Sequence, residues 1–297
     1  MKPESQEAYA RAIKKLAEFA SKYKYKGNIF PTSPYILIEF MAFLVNNGYA
    51  ATTISSTISA IGYVHRMGEL EDPTENFKVE KALIGVHRLA KKGDQRLPIT
   101  LSILHKLLEI VDRTCKESYE GIMIKAMYLL MFYGLLRVGE ITSKRKADYK
   151  KVVNHKDVKL FTKGTRLSSL SLTMNDFKHN LPTNIVTIKI AGTGTQFCPV
   201  THMLAYLVKR GANEGPLFLN SHGKPVSTSY FSAIFRATVV AAGLDPARYK
   251  PHCFRIGGTT RYAELGYEDS VIQRMGRWKS PAFKRYVRMA SYGQARR

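Results

Sequence analysis

Two stretches of this 297-residue chain alternate with period two: Leu167, Leu170, Leu172 and Met174 separated by Ser and Thr, then Ile185 to Ile190. Elsewhere the apolar residues recur every three or four positions. Period two is the pattern of a half-buried strand and period 3.6 that of an amphipathic helix, so the chain is expected to be mainly α with one small antiparallel β-sheet. The sheet interrupts an otherwise helical domain. Between the strands, Asn175 to Asn184 has the composition of a turn.

The helices fall into two groups. Tyr9, Ile13, Leu16 and Phe19 mark the first, and Ser33-Pro34 opens a second in which Ile36, Leu37, Phe40, Phe43 and Leu44 recur until Gly48. Ile54, Ile58, Ile61 and Val64 mark a third ending near Gly68, and Val79, Leu83, Val86 and Leu89 a fourth. Four helices of this size make a small bundle. Ala90 to Pro98 is charged, contains Gly93 and closes on Pro98, the composition of an interdomain linker, which divides the chain into 1–94 and 95–297. Beyond it, Thr100 to Val111 and Ile122 to Phe132 read as helices ahead of the strands. His202 to Arg210, Ser229 to Ala242, His252 to Leu265 and Ser270 to Gly276 follow them, so the second part is α+β.

Charge narrows the function. Lys and Arg total 46 against 23 Asp and Glu, a formal net charge of +23. Residues 121–297 hold 29 basic and 9 acidic residues, whereas 1–94 hold 13 and 10. With 45% hydrophobic residues the chain has the apolar surface to bury real cores, which excludes a histone-like tail or a protamine. A folded chain this basic is expected to meet a polyanion, nucleic acid first. It has no apolar run of about 18 residues and no apolar segment behind a basic start, so a soluble, intracellular protein with no membrane partner is expected. Cys115, Cys198 and Cys253 are odd in number and far apart, which argues for buried thiols rather than disulfides or a zinc site.

Four short segments hold groups suited to chemistry on a phosphate. Tyr133 to Glu140 places Arg137 at the end of an apolar helix with Glu140 three residues on; taken alone, they are an i,i+3 helix pair. In Pro251-His252-Cys253-Phe254-Arg255, His252 and Arg255 share one face at a helix N-terminus, where free amides favour an anion. Met275 to Ser280 holds the only tryptophan, Trp278, and Phe283 to Arg288 holds Tyr286.

In this order the four segments resemble the tyrosine recombinase (phage integrase) family, over nearly the whole chain. The resemblance implies a helical core-binding (SAM-like) DNA-binding domain over 1–94 and a catalytic tyrosine recombinase domain over 95–297. The wording around His252, around Gly276-Arg277-Trp278 and at Cys198-Pro199-Val200 is most similar to recombinases of eukaryotic Crypton and DIRS/Ngaro-type mobile elements. By resemblance, Tyr286 is the nucleophile, Arg137 and Arg255 clamp the phosphate, and His252 accepts or relays the phenolic proton. Planar, permanently charged guanidinium forks suit that clamp. A lysine on a turn between two strands protonates the leaving 5′ hydroxyl; Lys178 matches best, with Lys163 as the alternative. The family places a His or Trp nine residues before the tyrosine. Here Arg277 is nine before and Trp278 eight, and Trp278 is preferred because its indole N–H can donate to a phosphate oxygen. Glu140 fills the acidic position after the first arginine and is read as an orienter of the site.

The implied activity is that of a site-specific recombinase or transposase, which cleaves and rejoins DNA through a covalent 3′-phosphotyrosyl link and integrates or excises a mobile element. It needs neither metal nor ATP, and no cofactor. Expected partners are double-stranded DNA, a four-way junction and further copies of the chain in a homotetramer. The expected location is the nucleus for a eukaryotic element, otherwise cytoplasm or nucleoid. The alternatives are type IB topoisomerase-like relaxation and a domesticated DNA-binding protein without catalysis. The basic second part is expected to seat the DNA backbone, with the nearly balanced first part as the other half of a clamp.

Overall fold

The structure is a computed structural model that describes residues 3–25, 28–90, 94–115, 118–174 and 185–288. Contacts divide the chain into two compact units, Met1–Asp94 and Gln95–Arg297.

The first unit contains α1 (Pro3–Lys22), α2 (Pro34–Asn46), α3 (Ala51–Met67) and α4 (Phe77–Leu89). Ser33 starts α2 for the reason its sequence suggests: its Oγ accepts the Ile36 amide at 3.3 Å, and Pro34 occupies a first-turn position that needs no amide donor. The four apolar stripes meet in one core of Leu16, Phe19, Leu37, Phe40, Ile54, Ile58, Ile61 and Val79. His65 is wholly buried in α3 yet satisfied. The Thr32 amide donates to its Nε2 at 2.9 Å, and Nδ1 lies 2.9 Å from the Ile61 carbonyl, an arrangement that suits the neutral Nδ1–H tautomer.

The second unit begins with α5 (Leu101–Thr114), α6 (Ser118–Tyr133) and the single turn α7 (Val138–Ile141). A three-stranded antiparallel sheet follows, β1 (Val158–Lys163), β2 (Arg166–Met174) and β3 (Val186–Ala191), in the order β1-β2-β3. Then come α8 (Pro199–Arg210), α9 (Thr228–Ala241), α10 (His252–Glu264) and α11 (Asp269–Met275). The architecture is mainly helical with one small antiparallel sheet, as period-two and period-3.6 patterning dictates. Strand β1 is the element that patterning did not reveal. Only Val158 and Leu160 lean on the core, and a register shift between Phe161 and Thr162 interrupts the alternation. The link between β2 and β3, residues 175–184 with Lys178, lies outside the described residues.

Helix α6 is the hub of this unit. Its residues Met123 to Phe132 are buried apart from Lys125, and it touches α5, α8 and α10, so its all-round apolar surface is spent on three neighbours. Two consecutive glycines let α10 come close. A Cβ at Gly257 would stand 1.8 Å from the Ile99 carbonyl oxygen, and one at Gly258 would stand 2.2 Å from that of Phe132. Backbone therefore packs on backbone, which fixes the start of α10 against the end of α6. No described helix is long and apolar enough to cross a membrane, and no described group of three or more His, Cys, Asp or Glu could hold a metal ion.

Candidate active site

The end of α6 supplies the first part of the site. Gly134 is followed by Leu135 at φ +49°, a left-handed conformation rare for a side-chain-bearing residue, and the chain turns sharply into α7 with Arg137 at its N-cap. Glu140, 5% exposed, folds back over this turn. Its Oε1 accepts Arg137 Nη1 at 2.9 Å and its Oε2 accepts the Arg137 amide at 2.7 Å. The i,i+3 pair seen in the sequence is thus also a cap, and it holds an arginine whose side chain is 22% exposed.

Helix α10 supplies the second part from its first turn. Its first residue, His252, is half-buried, and Arg255 one turn on has no exposed surface at all. Arg255 donates from Nη1 to the Leu135 carbonyl and from Nη2 to the Gly276 carbonyl; its Nε has no hydrogen-bond partner among the described residues. Burial, then the neighbouring cations Arg137 and Arg277, lower its pKa to about 9, so the guanidinium is still charged at neutral pH.

The segment after α11 supplies the third. At position 276 a Cβ would lie 1.6 Å from the ring of Trp278, two residues on, so only glycine leaves that ring where it stands. That ring covers the Arg255 guanidinium at 4.0 Å from its centroid and lies 5.3 Å from the Tyr286 ring. A 3₁₀ turn, Pro281–Tyr286, carries the tyrosine, and buried Phe283 pins it into a small core with Ala263, Ile272 and Val287. Tyr286 is half-buried with its ring 5.2 Å from that of His252.

Arg137, His252, Arg255, Trp278 and Tyr286 therefore converge from three separate stretches of sequence. Arg277 and Trp278, the two residues open to the same position in the sequence, part company. Arg277 sits at φ +57°, which sends its side chain inward to Glu140 Oε2 at 2.8 Å while Trp278 faces the tyrosine. Lys163 is exposed at the end of β1, in the β1–β2 turn, and Lys178 belongs to the link outside the described residues. Sequence reasoning did not single out Thr260. Its Oγ1 accepts the Arg288 amide at 3.2 Å and shares its one hydrogen between the Ile256 carbonyl at 2.9 Å and the Tyr286 carbonyl at 3.2 Å, so α10 holds the tyrosine segment directly. A threonine two turns into a helix gives no signal of that contact before the chain is folded.

Comparison with known proteins places the chain in a family. The model of the phage integrase family matches residues 99–291. A tyrosine recombinase XerD from Oceanobacillus iheyensis is 27% identical over 241 residues, 80% of this chain and 71% of the relative. A XerD from Staphylococcus saprophyticus is 25% identical over 275 residues, 90% of this chain and 81% of the relative. Among solved structures, the Tn1549 transposon integrase in complex with transposon right end DNA superposes with a TM-score of 0.65 at 14% identity, covering 100% of this chain and 92% of that one. The XerH site-specific recombinase bound to a palindromic difH substrate gives 0.63 at 14% identity, covering 95% and 76%. At such identities the superpositions speak to the fold, and the family match over nearly two thirds of the chain speaks to descent. With that match, the chain belongs to the phage integrase family, the tyrosine recombinases.

Proposed function

We propose that this protein is a site-specific DNA recombinase that cuts and rejoins strands through Tyr286, and that its element is of the Crypton or DIRS/Ngaro type. The observation that carries the reading is the tyrosine ring flanked by His252 and Trp278, with Trp278 in turn stacked on Arg255. The Tyr286 oxygen attacks phosphorus and loses its proton to His252. The bond from phosphorus to the 5′ oxygen breaks, and Lys178 protonates that oxygen as it leaves. The DNA 3′ end is then a phosphotyrosine, and a 5′ hydroxyl of another strand reverses the steps to reseal. Arg137 and Arg255 neutralise the non-bridging oxygens, where a dry site makes each cation most effective. Because Arg255 has no exposed surface and Trp278 stacks on it, the phosphate meets it only after the ring shifts.

The XerD relatives favour strand exchange over relaxation of the type IB topoisomerase kind. The wording His252-Cys253-Phe254-Arg255-Ile256-Gly257-Gly258 and Gly276-Arg277-Trp278 supports the mobile-element subgroup, and with it a role as transposase and a nuclear location. Strand exchange in pairs then calls for a homotetramer holding two duplexes through a four-way junction. To test the chemistry, the protein is incubated with a pool of nicked duplexes of random sequence, and covalent adducts are resolved on a denaturing gel. Wild-type protein is expected to form an adduct and Tyr286→Phe none; an adduct at the wild-type level from Tyr286→Phe refutes the assignment.

A further inference from the structure

Arg277 stands where the resemblance places a phosphate-binding His or Trp, yet its side chain is only 1% exposed and the donors of both its Nη nitrogens are already committed. Nη1 donates to the carbonyls of Gly134 at 3.4 Å and Met275 at 3.1 Å. Nη2 donates to the Leu135 carbonyl at 3.1 Å and to Glu140 Oε2 at 2.8 Å. A guanidinium has two hydrogens on each Nη, so these four bonds use all of the Nη hydrogens, the ones a bidentate fork would offer a phosphate. Nε is buried without a partner among the described residues.

Two of those acceptors are shared with the groups that would grip the phosphate. Glu140 holds Arg137 through Oε1 and Arg277 through Oε2. The Leu135 carbonyl accepts from both Arg255 and Arg277. Both Leu135 and Arg277 sit in left-handed backbone, a conformation that persists only where surrounding bonds over-determine it. We infer that Arg277 is a positioning residue, a buried cation that fixes the Arg137 and Arg255 forks through Glu140 and the Leu135 carbonyl and does not touch DNA. It also balances the Glu140 charge. Without it, Arg137 is the one ion-pair partner left to the carboxylate among the described residues, and Glu140 draws that charge away from the phosphate. Lysine cannot replace it, since an ammonium on a flexible stem does not span four acceptors set by a planar fork.

The inference rests on Tyr286 being the nucleophile, and the test separates the two. Full-length wild type, Arg277→Gln, Arg277→Lys, Glu140→Gln and the double variant Arg277→Gln/Glu140→Gln are compared in single-turnover adduct formation on nicked duplexes recovered from the wild-type adduct. DNA affinity and melting temperature are measured alongside. Arg277→Gln is expected to slow adduct formation roughly tenfold or more with the dissociation constant for DNA unchanged, as for a small displacement of groups that act in the reaction. Arg277→Lys, which keeps the charge, is expected to be slowed as well, and it decides the matter if the Gln variant does not fold. The double variant should be no slower than the slower single one, because both changes release the same fork. Losses that multiply, as for an independent phosphate contact, overturn the inference. So do wild-type rates in both Arg277 variants. A wild type that forms no adduct overturns instead the reading of Tyr286, and the positioning role with it.

Discussion

The substitution Gly257→Ala tests how tightly the site depends on one backbone contact. The added methyl would lie 1.8 Å from the Ile99 oxygen, 2.6 Å from its carbonyl carbon and 3.0 Å from its nitrogen, all backbone atoms that no rotamer change can move. Restoring van der Waals distance means parting α10 from the Ile99 segment by roughly 1.5 Å, the gap between 1.8 Å and an ordinary contact. That movement breaks the bond from the Ile99 amide to the Cys253 carbonyl, now 3.2 Å, at about 1 kcal/mol. It also loosens the fully buried Ile99 side chain, and overpacking of this kind costs about 1–3 kcal/mol. Together the loss is about 3 kcal/mol, which for a unit of this size lowers its melting temperature by roughly 10 °C.

Helix α10 also carries His252 and Arg255, so a displacement of about 1 Å is expected to slow cleavage by roughly a hundredfold. Gly85→Ala is the internal comparison. It lies in α4 with nothing within 4 Å of the added atom, and should stabilise the first unit by about 0.5–1 kcal/mol. Both variants are read by calorimetry and by single-turnover adduct formation on a nicked duplex. If Gly257→Ala melts and cleaves like the wild type, the account of how α10 is seated is wrong.

Trp278 is the only tryptophan, so its emission reports directly on the site. Saturation with nicked duplex is expected to shift that emission as the ring leaves Arg255, and Gly276→Ala is expected to shift it without DNA; an emission unchanged in both cases refutes a movable lid over Arg255. Affinity for random-sequence duplex should fall linearly on a log–log plot against salt, with a slope of about −0.9 per neutralised phosphate. Salt-independent binding contradicts a backbone seat on the second part, whose residues 121–297 hold 29 basic against 9 acidic residues.

Helices and strands were legible in the sequence because the forces that set them are local or periodic. Ser33 and Pro34 start α2 wherever that segment is placed, and the stripe from Ile54 to Val64 needs only some apolar partner. Strand β1 escaped notice for the opposite reason. An edge strand with two core-facing residues and a bulge has little periodicity of its own and is defined by pairing with β2.

The residues that converge on Tyr286 could also be named from the sequence, through the resemblance carried by its four short segments. Their arrangement could not. Whether Arg277 or Trp278 faces Tyr286 turns on one left-handed φ angle, which three backbone carbonyls and Glu140 hold in place from sequence positions up to 143 residues away. The same holds for the glycines of α10 and for Thr260: each matters through contact with the backbone of a distant segment. The sequence by itself determined the helical and strand segments, the charge and the kinds of groups available for catalysis. Only the tertiary structure decided which of those groups point at the tyrosine and which brace the others from behind, because contacts between distant segments form only when the cores pack.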